Sequence, residues 1–208
     1  MLAGAGAAAD INVLQASVPR GRASVAIFFQ GELGVATDGF SAACRIGGGG
    51  FGNVYKVAAH RLTGLGSDSS FVAVKRMHGD SIQGHAEFLQ EVQVLGACRH
   101  ANVLALIGFS ADRGSTHEDD GVCLVTPLMR GGSLEDRLLL NPQALHRLDQ
   151  MPGAPPAAGW VPLTWQQRLL ALRGALAGAP CVLLAVCSVL HYVVVILWNR
   201  AVCVDRPR

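Results

Sequence analysis

Between Asn53 and Ala59 the chain alternates with period two. Val54, Lys56 and Ala58 share one face, and Tyr55 and Val57 share the other, which predicts a half-buried strand. Phe71–Lys75 is a second apolar run rich in β-branched residues. The stretch between them holds Gly64, Gly66 and three serines, which is turn chemistry. From Ser81 to Cys98 the period changes. Ile82, Phe88, Leu89, Val92 and Leu95 recur at steps of three and four and make one face of a helix. Residues 102–140 carry two further strands and a short helix. In residues 141–161, Pro142, Pro152, Pro155 and Pro156 predict a linker without regular structure. A long helix starts near Thr164, with Trp165 expected in its core, and turns strongly apolar.

Composition narrows the classes. The 208 residues suit one domain or slightly more. Half of them are hydrophobic and 15% charged, which excludes general disorder. A net charge of +2 leaves no basic footprint, so no nucleic-acid partner is expected. The 25 glycines follow no Gly-X-Y period, and no repeat of solenoid length is visible. None of the six cysteines forms a Cys-x-x-Cys pair, so no metal site is expected and the thiols read as free in a reducing compartment. Residues 1–34 read as a flexible small-residue leader. No Lys or Arg precedes Val18, which argues against a secretory signal. The acidic run Thr116–Asp120 reads as a solvated turn.

The chemistry concentrates at Ile46–Lys56, which contains Gly47-x-Gly49-x-x-Gly52. Glycine lets backbone approach phosphate closely. The pattern alone is weak, because dinucleotide-binding oxidoreductases share it. Those require a helix directly after the glycines. Here an alternating strand follows, so the loop is a hairpin that covers phosphates from above. Val72–Lys75 ends an apolar strand on a lysine that could meet phosphate oxygens if a fixed anion held it. Glu91, on the helix, is the candidate; Glu87, one turn earlier, suits an exposed position better.

In this order these residues resemble the eukaryotic protein kinases, specifically the receptor-like, Pelle and interleukin-receptor-associated group. The resemblance is carried by Phe28-x-x-x-Glu32-Leu33-x-x-Ala36-Thr37-Asp38-Gly39-Phe40-Ser41, the glycine loop, Val72–Lys75 and Phe88-x-x-Glu91-Val92-x-x-Leu95. His100-x-Asn102, Leu106-x-Gly108-Phe109, Leu124–Leu138 and Leu163-Thr-Trp-x-x-Arg168-Leu169 continue it. It covers about residues 28–178. It implies an α+β fold: a kinase-like small lobe, with a twisted antiparallel sheet and one helix, and then an incomplete helical lobe. It divides the chain into a leader (1–34), a small lobe (35–129), a segment of hinge exit, short helix, linker and long-helix start (130–178), and a divergent apolar tail (179–208).

The resemblance also implies ATP as ligand, with Mg2+ accompanying it, a protein substrate, and phosphoryl transfer to Ser/Thr. Gly47, Gly49 and Gly52 would cap the phosphates, with Gly48, Gly50 and Phe51 completing the cover. Lys75 and Glu91 would be the catalytic pair. Ile46, Val54 and Ala73 would roof the adenine. Thr126 matches the gatekeeper, and Pro127 and Met129 would bond the adenine through a carbonyl and an N–H. Ser133 would approach the ribose.

Two kinase elements do not occur in the sequence: a catalytic His-Arg-Asp with its later Asn, and Asp-Phe-Gly. His146-Arg-Leu-Asp149 precedes the long helix and has Ala154, not Asn, five positions on. The expectation is therefore a chain that is inactive alone; the alternative is a non-catalytic ATP-binding or membrane-anchored interaction module. Residues 181–198 are apolar and uncharged, about 27 Å long as a helix. Three readings stand for them: a membrane-spanning helix, a buried helix of the large lobe, or a divergent end that was never a kinase segment. The kinase-like portion would face the cytoplasm, where ATP is.

Overall fold

The computed structural model describes residues 25–49, 52–65, 70–78, 82–110, 122–155 and 159–185, with side chains undescribed at 82–87 and 184–185. The chain divides into two compact units. One comprises the residues up to Ala97 together with Ala105–Leu128; the other comprises Cys98–Leu104 together with the residues from Met129.

The first unit is built on a six-stranded sheet of β1 (Ala26–Ile27), β2 (Arg45–Gly49), β3 (Gly52–Ala58), β4 (Phe71–Arg76), β5 (Gly108–Ser110) and β6 (Cys123–Pro127). The spatial order is β1-β5-β6-β4-β3-β2. All neighbours run antiparallel except β1 and β5, which are parallel. The sheet is therefore the expected antiparallel one, made mixed only by β1 at its edge. Residues 26–34 were expected to end a loose leader. Instead they supply β1 and most of helix α1 (Gln30–Ala36). The reason is burial: Phe28, Leu33 and Ala36 sink into the core with Tyr55, Val57, Val72, Val74, Cys123 and Val125. Residues 1–24 lie outside the described residues.

The alternation in β3 is real. Tyr55 and Val57 are buried, while Val54, Lys56 and Ala58 are only partly covered. This sorts the sheet into two faces. One is closed by α1 and by Phe40, whose ring meets Tyr55 edge-on at 5.3 Å and lies 4.4 Å beneath the Arg76 guanidinium. Helix α2 (Ile82–Ala97) buries Phe88, Val92 and Leu95. Phe88 meets Phe109 of β5 edge-on at 6.0 Å.

The second unit holds α3 (Leu134–Leu139), α4 (Pro142–Asp149) and α5 (Trp165–Ala185). Helix α4 occupies residues expected to be an irregular linker. Pro142 does not break it, because it stands in the first turn, where a missing N–H costs nothing, and Asn141 Oδ1 accepts from Ala144 N at 2.8 Å. Asp136 ties α3 to α4: it accepts from Arg147 Nε at 2.9 Å and from the Arg147 Nη2. Helix α5 opens with a capping box. Gln167 N donates to Thr164 Oγ1 at 3.2 Å and Thr164 N donates to Gln167 Oε1 at 2.9 Å. Trp165, expected in the core, is 73% exposed. The box fixes the start of the helix but leaves the indole on its outer face.

Candidate functional site

The glycine segment forms the β2–β3 hairpin, with Gly47 opposite Val54, Gly48 opposite Asn53 and Gly49 opposite Gly52. Gly50 and Phe51 lie outside the described residues. The glycines differ in what they do. Gly52 has φ +139°, and a Cβ there would run into the Arg76 carbonyl of β4. Its smallness is needed for strand packing. A Cβ on Gly49 would meet nothing within 4 Å, and one on Gly47 only the Val54 Cβ at 4.0 Å. These two keep the surface of the hairpin low and its backbone accessible. A Cβ on Gly48 would strike the Arg45 guanidinium and sit 2.6 Å from Asn53 Oδ1.

Two side chains that the sequence reading did not single out hold the hairpin. Arg45 Nε donates to the Gly47 carbonyl at 3.4 Å, and His78 Nε2 lies 3.2 Å from the Gly49 carbonyl, which can only accept. His78 follows β4 by two residues and bears no pattern of its own; only the sheet register brings it to the hairpin.

Lys75 lies on β4, opposite Val54 of β3 and Leu124 of β6. Glu91 shares the helical face of Phe88 and Leu95, so burying those residues turns its carboxylate inward. Lys75 Nζ and Glu91 Oε2 are 2.7 Å apart, with side chains 24% and 11% exposed. The pair is sheltered enough for its Coulomb attraction to be felt and open enough for one side of the ammonium to remain hydrated. Glu87 has no described side chain.

Ala73, two residues before Lys75, is on the same strand face and pairs with Thr126 of β6. Ile46 is buried, while Val54, Ala73 and Thr126 are partly covered. Pro127 ends β6 opposite Val72, and the next residue, Leu128, donates its N–H to the Phe71 carbonyl at 3.2 Å. The first unit thus brings Gly47, Gly48, Gly49, Gly52, Val54, Ala73, Lys75, Glu91, Thr126 and Pro127 onto four adjoining strands and one helix.

Met129 and Ser133 belong to the second unit. The Met129 carbonyl accepts from Gly132 N at 3.3 Å in a turn where Gly132 has φ +72°. Ser133 caps α3: its hydroxyl accepts from Asp136 N at 3.0 Å and donates to Asp136 Oδ2 at 2.8 Å. That hydroxyl is committed to the cap.

His146–Asp149 lies on α4 in structural contacts. Arg147 pairs with Asp136, and Asp149 Oδ1 accepts from Trp160 Nε1 at 3.0 Å. Among the described residues no group of three His, Cys, Asp or Glu could hold a metal ion. Among them, too, no helix is long and apolar enough to cross a membrane. Of the 181–198 segment, residues 186–198 lie outside the described residues, as does Thr116–Asp120.

Known proteins resemble this chain in sequence. The family model for protein tyrosine and serine/threonine kinase matches residues 40–159. The "Probable serine/threonine-protein kinase PBL20" of Arabidopsis thaliana is 38% identical over 154 residues, covering 73% of this chain and 34% of that protein. The "Probable serine/threonine-protein kinase PBL25" of the same plant is 37% identical over 169 residues, covering 81% and 37%. The chain therefore spans about a third of the length of these curated relatives. Among solved structures, the pseudokinase domain of BIR2, an immune regulator of the RLK/Pelle family, superposes with a TM-score of 0.43 at 24% identity, covering 72% of this chain and 36% of that one. With more than half of its residues matched by the family model, the chain belongs to the protein tyrosine and serine/threonine kinase family.

Proposed function

We propose that the chain is the nucleotide-holding part of a serine/threonine protein kinase, working in the cytoplasm, where ATP is available. ATP lies beneath the β2–β3 hairpin. Its adenine packs against Ile46, Val54 and Ala73 and reaches the backbone carbonyl of Pro127. Its phosphates meet Gly47–Gly52 and the Lys75 ammonium. The observation that carries this reading is the 2.7 Å pair between Lys75 and Glu91 beside a glycine hairpin with open space over Gly49. An ammonium held in place by a carboxylate meets phosphate oxygens without first being ordered, and preorganisation of this kind favours binding.

Phosphoryl transfer needs more than binding. The 208-residue sequence has no Asp-Phe-Gly and no catalytic His-Arg-Asp followed by Asn. Mg2+ would accompany ATP, yet the described residues offer it no ligand cluster. The chain by itself therefore binds ATP weakly and transfers phosphate negligibly. Its role alone is that of a non-catalytic nucleotide-binding module.

A titration with a fluorescent trinitrophenyl-ATP tests the site. The expected Kd is about 0.1–1 mM, weakened at least ~10-fold by Lys75→Met, because a charge-assisted hydrogen bond contributes roughly 1.5–3 kcal/mol. Equal binding by parent and variant would discredit the site. A radiolabelled-phosphate assay on the purified chain tests the second half: robust, Lys75-dependent transfer would refute it.

A further inference from the structure

Residues 98–104 follow α2 directly and settle against α5 within the second unit. The face of α5 that meets them carries small residues. Ala171 and Gly178 are buried, and a Cβ on Gly174 would sit 2.8 Å from Asn102 Nδ2. Cys181 continues that face, because Ala171, Gly174, Gly178 and Cys181 recur at steps of three, four and three. Two turns beyond Gly174 the buried Cys98 reaches it, and its thiol donates to the Cys181 carbonyl at 3.2 Å. Both cysteines are free thiols. Burial first, and then a hydrogen bond to the Cys181 side chain, push the Cys98 thiol from 9.0 up to about 12.

We propose that Cys98 and Cys181 are a redox pair, that hydrogen peroxide joins them in a disulfide, and that this bond clamps residues 98–104 to α5. The two cysteines stand 83 residues apart in sequence and meet at one point of the fold. The carbonyl and the thiol that Cys98 contacts belong to the same residue, so the two sulphurs already lie side by side, as a disulfide requires. Neither cysteine takes part in the nucleotide site, so the pair is free for a separate use.

The chemistry balances in two steps. A thiolate, not a thiol, attacks peroxide, and Cys98 is held protonated near neutral pH, so the first attack falls to Cys181. Cys181 gives up its proton and its sulphur bonds to one peroxide oxygen. The O–O bond breaks, and the hydroxide released takes that proton and leaves as water, so Cys181 becomes a sulfenic acid. The Cys98 sulphur then bonds to the Cys181 sulphur. The S–O bond breaks, and the leaving hydroxide takes the Cys98 proton as a second water. Two thiols lose two electrons, and one peroxide is reduced to two waters. A small thiol such as glutathione reverses the bond by exchange. In a reducing compartment the bond is therefore a transient signal rather than a permanent staple. What it fixes is the exit of the helix that carries Glu91.

The test is treatment of the full, reduced chain with a modest excess of hydrogen peroxide, followed by thiol counting in denaturant and peptide mapping. The count should fall by two from six, with the mass of two hydrogen atoms lost and no species of doubled mass. The tryptic peptide 77–99 should be found joined to 174–200, and dithiothreitol should restore all six thiols. Cys187 shares the second peptide, so Cys187→Ser must keep the link, whereas Cys98→Ser and Cys181→Ser must each abolish it. Where a Cys98 variant fails to fold, the peptide map of the Cys187→Ser chain decides without it. The thermal midpoint of the oxidised Cys187→Ser chain should rise by roughly 5 °C or more over its reduced form, because the bond closes a long loop. Six thiols remaining, sulfinic acid at Cys181 without a link, or a link lost in Cys187→Ser overturns the proposal. So does a link that survives Cys98→Ser, or one that leaves the midpoint where it was.

Discussion

Replacing Lys75 by methionine separates the structural from the binding role of its ion pair. Methionine keeps the length and much of the volume of the lysine stem but removes the ammonium. Glu91, only 9% exposed, is then left without its cation. Exposed ion pairs contribute up to about 1 kcal/mol, and breaking a fully buried pair costs about 3–5 kcal/mol. With side chains 24% and 11% exposed, this pair stands between those limits, so a loss near 2 kcal/mol is expected. In urea, with a slope of about 2 kcal/mol per molar, the midpoint falls by about 1 M. Adding Glu91→Leu should recover most of that stability, because an apolar pair leaves no stranded charge. It should recover none of the nucleotide affinity. The double-mutant cycle thus predicts a coupling of at least about 1 kcal/mol in stability. A Lys75→Met loss below about 0.5 kcal/mol, or strict additivity in the double variant, would refute the inference that burial makes this pair interdependent.

Other outcomes follow from the same coordinates. Gly52→Ala should cost about 2–4 kcal/mol, because φ is +139° and the added Cβ meets the Arg76 carbonyl, whereas Gly49→Ala should cost less than about 1 kcal/mol; thermal unfolding of the two variants checks the contrast. Asp136→Ala removes the acceptor of Arg147 and the partner of the Ser133 cap, and should lower stability by about 2–3 kcal/mol in denaturant titration. Burial pushes the Cys123 thiol from 9.0 up to about 12. Its folded-state pKa being raised, its contribution is constant below pH 9 and declines by about 1.4 kcal/mol per pH unit between 9 and 12; Cys123→Ala should flatten that decline in stability measured against pH.

The sequence made the sheet's centre legible because period-two alternation and β-branched runs report burial directly, as at Tyr55 and Val57. The Lys75–Glu91 meeting was legible because one helical face fixes where Phe88, Glu91 and Leu95 all point. What escaped had a different cause. Pro142 counts as a breaker only inside a helix, and its position in the first turn depends on Asn141 capping the chain just before it. β1 is two residues long and shows no period at all; only its parallel pairing with β5 identifies it. Trp165 and its leucine neighbours look like core from composition, but which face of α5 turns inward is decided by the close approach at Gly174. His78 and Arg45 reach the hairpin through tertiary register, which no local pattern encodes.

The short strand at the margin of the sheet bears on where a shortened version of the protein can begin. Ala26 N donates to the Ile107 carbonyl at 2.9 Å and Phe28 N donates to the Phe109 carbonyl at 3.0 Å, so this strand saturates one flank of β5. Starting a recombinant fragment at residue 40, where the family match opens, would bare that flank and unroof the apolar floor beneath Phe28 and Leu33. Such a fragment would carry a raw sheet edge of the kind that zips onto neighbouring molecules. The practical boundary for producing the sheet intact lies upstream of Ala26, outside the stretch that family resemblance alone would recommend.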